Sequence, residues 1–223
     1  MPNLDPKVRY LQIAFNYDLS LTKKIIPLIA RSDRILIEAG TPFIKREGMK
    51  GISAIRALWA GHLVADIKTA DGAEGEVEMV KKTGATAITV LGSSPVETLD
   101  IFVNLCQQNG LDSMIDMIGV DDPLKVVRQL RRPPNVVVLH RGRDEETTRG
   151  KVIQYRHINR LLSKYNILIS AAGGVDLKEA RSAIFNGANI VVVNLVRPND
   201  PWLGIRTDSD IGLTSRLFLD TIE

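Results

Sequence analysis

The chain has 223 residues, 44% hydrophobic and 25% charged, which fits a soluble globular protein with enough length for one sizeable core. Its 29 basic and 26 acidic side chains leave a net charge of +3. The basic residues are dispersed among acids, so composition argues against nucleic-acid binding, while the mildly basic balance suits anionic small substrates. One cysteine, Cys106, excludes an internal disulfide and a thiolate metal cluster. The N-terminal "MPNLDPKVRY" has no charged-then-apolar signal pattern, and no apolar run approaches the ~20 residues that span a bilayer. These features lead to the expectation of a cytoplasmic protein with no membrane partner.

In chain order, short apolar or β-branched runs recur at 10–15, 34–38, 62–68, 87–91, 113–118, 135–140, 166–171 and 189–195. Segments with helical periodicity separate them, among them "SLTKKIIPLIARS", "GISAIRALWAG", "ETLDIFVNLCQQNG" and "DLKEARSAIFNG". The runs are too apolar on both faces for a half-solvated sheet, so parallel strands covered by helices are expected. Eight alternating units predict a single (β/α)8 barrel domain over 1–223. An open doubly wound sheet is the rival, but the first turn, "AFNYDLS", lacks the glycines of a dinucleotide site.

Function in such a barrel sits at the C-terminal ends of the strands. The candidates there are Asn16 after the first run, Glu38 closing the second, and Asp66, Lys68 and Asp71 at the end of the third. Asp116 lies inside the fifth run, and His140, Arg141 and Arg143 close the sixth. Gly173 and Gly174 follow the seventh, and Asn194 and Arg197 the eighth. Asp66 and Lys68 stand two apart on a strand and so share a face, which is cheaper at the polar mouth than against packed helices. Glu38 and Asp66, on adjacent strands, are placed to share a divalent cation, and all-oxygen ligation suits Mg²⁺; a rim ion pair between Glu38 and Lys68 without metal is the alternative. Asp116, between isoleucine and methionine, needs a partner and is expected to orient Lys68 or to meet substrate. His140 is either a proton-transfer group or a structural residue, and Asp71 is either a site residue or the cap of the next helix. "SAAGGVD" before a helix suits a phosphate cup.

The stretches "IEAGTPFIKREG", "ADIKTAD", "IDMIGVDDP" and "HRGRDEET" resemble the 3-hexulose-6-phosphate synthase and 3-keto-L-gulonate-6-phosphate decarboxylase branch of the orotidine 5′-phosphate decarboxylase suprafamily. The resemblance runs from "LQIAF" to "VVVNL". It implies a homodimeric carbon–carbon lyase with Mg²⁺ on Glu38 and Asp66, working through an enediolate of a sugar phosphate. Lys68 would support the developing charge, Asp116 matches the family's strand-five acid, His140 would move protons with Arg143 beside it, and Asp71 would serve the neighbouring subunit's site. The synthase reaction joins formaldehyde to D-ribulose 5-phosphate; a decarboxylase of a 3-keto sugar-acid phosphate is the runner-up, and a repurposed non-catalytic barrel the third reading. Two positions depart from the family pattern. Asn16 stands where the first strand usually ends in aspartate, and "VVNLVRPNDP" replaces a glycine-rich strand-eight turn, leaving Arg197 as the expected phosphate ligand beside Gly173 and Gly174.

Overall fold

The computed structural model describes residues 4–148 and 150–223. Eight parallel strands, β1 (Tyr10–Phe15), β2 (Ile35–Ala39), β3 (Leu63–Thr69), β4 (Ala87–Leu91), β5 (Asp112–Asp116), β6 (Val136–His140), β7 (Leu168–Ala172) and β8 (Ile190–Val196), pair in sequence order. β8 returns to β1, with Leu11 opposite Val191 and Ile13 opposite Val193, and closes the barrel. Eight α-helices alternate with the strands: α1 (Leu19–Ile25), α2 (Thr41–Leu58), α3 (Ala73–Lys81), α4 (Val96–Asn109), α5 (Pro123–Gln129), α6 (Ile158–Leu162), α7 (Leu177–Phe185) and α8 (Ile211–Thr221). The (β/α)8 barrel expected from the two-faced apolar runs is the fold.

The apolar residues divide between two packed regions, as strand alternation requires. One side of each strand packs on the helices, and Leu11, Ile13, Ile35, Ile37, Ile88, Ile169 and Val193 belong to that large core. The other side fills the lumen with Tyr10, Ala14, Leu36, Val64, Met114, Val136, Leu168 and Ile190, joined by Leu4 from the N-terminal segment. This plug closes the lower barrel, so a ligand has access from the C-terminal mouth alone.

Three elements differ from the sequence expectation. Helix α2 starts at Thr41, ten residues before the expected "GISAIRALWAG". Gly48 interrupts it with φ +62°, which breaks the periodicity that a sequence reading follows. Helix α8 was not anticipated, although Asp210 caps it by accepting from the Leu213 N–H at 2.9 Å. After β8 the quoted "VVNLVRPNDP" is only the start of a longer connection. It runs through residues 197–210, includes Gly204, and forms a two-residue strand β9 (Ile205–Arg206) that pairs parallel with Leu195 and Val196.

Candidate functional site

The lumen-facing register that places Leu36, Val64 and Met114 in the plug places Glu38, Asp66 and Asp116 one step higher. They line a cavity of about 260 Å³ together with Gln12, Asn16, Thr41, Lys68, Thr89, His140, Arg143, Glu146, Gly173 and Asn194. That volume lies at the small end for ligand pockets and suits a compact substrate.

Lys68 is the hub. Its Nζ lies 2.9 Å from Asp66 Oδ1 and also pairs with Asp116 Oδ2. The two residues on β3 meet by a route that simple alternation does not describe. Between Ala65 and Thr69 the pairing with β4 slips, and Lys68 adopts φ +52°, the sole positive φ of a non-glycine among the described residues. A left-handed lysine costs on the order of 1–3 kcal/mol, and such strain concentrates at functional positions. The bulge is pinned by Thr89 of β4, whose hydroxyl oxygen accepts the Lys68 N–H at 2.9 Å and whose hydroxyl donates to Asp66 Oδ1 at 2.8 Å. From the first turn of α2, Thr41 donates to Asp66 Oδ2 at 2.8 Å.

Asp116 is 2% exposed and bridges the lysine to His140. The His140 Nδ1 lies 2.9 Å from its Oδ2 and 3.0 Å from its Oδ1. A carboxylate can only accept, so Nδ1 carries the hydrogen and Nε2 is the ring atom left for chemistry. Burial opposes charge on all three groups, and their mutual attraction overrides it. Asp116 is held below the usual carboxylate range by His140 and Lys68, while His140 and Lys68 are both held above their ordinary values by the acids around them.

Glu38 is different. Burial first, and then the Asp66 charge, push its carboxyl up from 4.5 to about 7. Its hydrogen-bond partner is the Gln12 amide rather than Lys68, and Gln12 Oε1 is buried without a partner. Among the described residues no group of three or more His, Cys, Asp or Glu side chains is placed to hold a metal ion. The Glu38–Asp66 pair still fits one kind of cation. Three donors occupy three of the roughly four acceptor positions on Asp66, and Glu38 lacks a positive partner. A hard ion that takes one or two carboxylates and completes its shell with water and substrate oxygens matches that donor set.

The remaining candidates divide between the cavity and its surroundings. Asn16 lines the cavity and donates from Nδ2 to Asn194 Oδ1 at 3.0 Å, joining the ends of β1 and β8. Arg143 lines it too, with its guanidinium 4.3 Å above the Trp202 ring. Gly173 and Gly174 sit at the β7 turn with φ of +105° and +62°, and a Cβ on Gly173 would lie 1.9 Å from the Arg141 carbonyl oxygen. Arg197 stands outside the cavity, stacked 4.5 Å over Tyr17 and 3.5 Å from Asp18. Asp71 is exposed beyond β3, accepts the Gly72 N–H at 2.8 Å, and does not cap α3, whose N-cap is Gly72. Gln12, Thr41, Thr89, Glu146 and Trp202 escaped the sequence reading. Gln12 and Thr89 carry no charge to draw notice, though their inward parity on β1 and β4 was available, while Thr41 opens α2 and has no strand parity to read.

Residues 9–194 match the family described as orotidine 5′-phosphate decarboxylase / HUMPS. The chain belongs to that family. It is 39% identical over 186 residues to the bifunctional enzyme Fae/Hps of Methanosarcina barkeri, a match covering 82% of this chain and 47% of that protein. With the Fae/Hps of Methanocella arvoryzae it shares 33% over 218 residues, covering 96% and 53%. The chain therefore spans about half the length of the curated relatives it matches. Among solved structures, a 3-hexulose-6-phosphate synthase from Salmonella typhimurium matches with a TM-score of 0.82 at 26% identity, covering 96% of this chain and 98% of that one. KGPDC from Streptococcus mutans matches with a TM-score of 0.74 at 18% identity, which speaks to the fold alone. No helix among the described residues is long and apolar enough to cross a membrane.

Proposed function

We propose that this chain is a 3-hexulose-6-phosphate synthase, joining formaldehyde to D-ribulose 5-phosphate or cleaving the product back to them. The observation that carries the reading is the network in which Lys68 is shared by Asp66 and Asp116 while Asp116 also fixes His140. The synthase names of the relatives at 33–39% identity supply the reaction to which that network is matched.

Carbon–carbon bond formation here needs a proton removed from C1 of the ketose phosphate, giving an enediolate. That carbon then attacks formaldehyde, and the new alkoxide takes up a proton. The His140 Nε2, its ring oriented by the hydrogen bond from Nδ1 to Asp116, is the atom assigned to proton transfer. Lys68, kept cationic by two acids, supplies positive charge where the enediolate oxygens become negative, and needs no reorganisation to do so. Glu38 and Asp66 are the residues assigned to Mg²⁺, which when bound supplies charge neutralisation beside the reacting oxygens. Asp71, exposed and outside its own cavity, suits a role in a neighbouring subunit's site and so a homodimer. A phosphorylated sugar suits the mouth, where Arg143 and Gly173 of the β7 turn line the same cavity.

Formaldehyde release from D-arabino-3-hexulose 6-phosphate, and its consumption with ribulose 5-phosphate, test the reading in the presence and absence of Mg²⁺. Turnover is expected with the metal, and Lys68→Ala is expected to lower it by ~10² or more, the usual scale for losing a preorganised charge at a transition state. Metal-replete protein that neither consumes nor releases formaldehyde would overturn the assignment. Arg143 beside His140 favours the decarboxylase as second reading, and CO₂ release from a 3-keto sugar-acid phosphate would decide for it.

A further inference from the structure

The turn after β7 carries the features of an anion seat, with glycines at φ +105° and +62° whose backbone no side chain of their own covers. In this chain the seat already holds a carboxyl group. Glu146, from the segment after β6, brings its carboxyl group against Gly174; Cδ and Oε2 both lie 3.0 Å from where a Gly174 Cβ would stand. The Gly174 backbone N–H and the guanidinium groups of Arg141 and Arg143 are among the groups that stabilise its ionised form.

Arg141 Nη2 would lie 2.3 Å from the same Gly174 Cβ position, yet no ion pair within 4 Å joins it to Glu146 among the described residues. Instead Nη2 donates to the Gly173 carbonyl at 2.9 Å and the Gly174 carbonyl at 3.3 Å, and Nη1 to the Lys151 carbonyl at 3.2 Å, while Nε is buried without a partner. Arg143 is stacked on Trp202. Glu146 Oε2 is buried with no hydrogen-bond partner, and burial raises the carboxyl above its ordinary value despite both arginines. A carboxylate left short of partners beside a backbone N–H is a poor structural element, since burying an unsatisfied acceptor costs stability. It is a serviceable competitor, because an incoming oxyanion must replace it.

We propose that Glu146 is a specificity-determining residue that occupies the anion seat at the β7 glycine turn, so that the substrate's phosphate binds by displacing its carboxylate. The inference rests on the sugar-phosphate reading above and adds that this chain binds its anionic group against an internal rival. An incoming phosphate meets a group of like charge at a desolvated site, so the displacement weakens ground-state binding. It acts on phosphate-bearing ligands and spares the Lys68–Asp116–His140 chemistry.

Calorimetric titration with inorganic phosphate, alongside formaldehyde-release kinetics, separates the possibilities for wild type, Glu146→Gln and Glu146→Ala. Both variants are expected to bind phosphate about tenfold or more tightly than wild type and to lower KM for the sugar phosphate more than they change kcat. Thermal melts guard against misfolding, and neither variant is expected to melt below wild type, because the residue removed is unsatisfied. An active wild type whose variants bind phosphate no more tightly, or more weakly, overturns this inference and leaves the synthase reading standing. If no form binds phosphate or turns over formaldehyde, both fall together.

Discussion

At the residue scale, two buried acids of the cavity, Asp116 on β5 and Glu38 on β2, have opposite electrostatic situations, and this gives a signed pH prediction. Asp116 is surrounded by His140 and Lys68 and is stabilised as an anion, whereas Glu38 is buried beside the Asp66 charge with an amide as its partner. Glu38 binds its proton more tightly in the folded protein, with a value near 7 against 4.5. Its contribution is therefore fully present below pH 4.5, fades as the pH rises through about 7, and is gone above it. A rise of that size corresponds to on the order of 3 kcal/mol. His140, also raised, loses stabilisation in the same direction as pH increases, so a comparison with Glu38→Gln is needed to isolate the glutamate. In EDTA, urea unfolding of wild type at pH 5 and pH 8 should show a fall in stability that Glu38→Gln lacks. Parallel profiles for the two proteins would show that Glu38 is not held in a strained ionisation state. Under the proposed metal role, Mg²⁺ should restore wild type at pH 8 and do little at pH 5, since protonated Glu38 is a poor ligand.

At the scale of elements, the barrel was legible because each strand is apolar on both faces, which calls for a parallel sheet covered by helices, and the glycine-free first turn set aside the doubly wound rival. The charged strand ends followed from it. Asp66, Lys68, Asp116 and His140 each carry a formal charge or titrate, so their convergence on one mouth could be inferred from topology. What could not be inferred depends on how loops return. The left-handed Lys68 needs the β3–β4 slip, Glu146 needs the segment after β6 to fold back on β7, and Trp202 needs the β8–α8 segment to reach Arg143. Short-range sequence patterns carry no record of such returns. The Arg143–Trp202 contact ties two of these loops across the mouth, and a partly exposed cation–π pair is worth ~0.5–2 kcal/mol. Trp202→Ala is expected to raise KM for the sugar phosphate from a few-fold to about tenfold with kcat little changed. The loss should also be non-additive with Arg143→Ala, because the tryptophan acts through the arginine. Strict additivity in that double-mutant cycle would mean that Trp202 meets the substrate independently or serves the loop alone.

At the scale of the whole molecule, the cavity brings together Glu38, Asp66, Lys68, Asp116, His140 and Arg143, whereas Asp71 is exposed beyond β3 and contacts its own neighbour Gly72. Its position is uneconomical for a monomer, since an acid that neither caps α3 nor reaches the cavity contributes little to either stability or catalysis. In a two-fold dimer the same surface patch faces its copy, and a rim residue of one protomer can enter the other's mouth. A complementation experiment tests this directly. Lys68→Ala and Asp71→Asn homodimers should each be nearly inactive, the first for want of the cation in its own cavity, the second for want of the partner's acid. After unfolding together and refolding, hybrids contain one site with both defects and one with neither. Random assortment makes about half the dimers hybrid, so roughly a quarter of wild-type activity should return. Recovery with such a value requires that the lysine and the aspartate act in one site from different chains. Two inactive parents with no recovery on mixing, in a sample shown by light scattering to be dimeric, would place Asp71 in the service of its own protomer and confine the active site to a single chain.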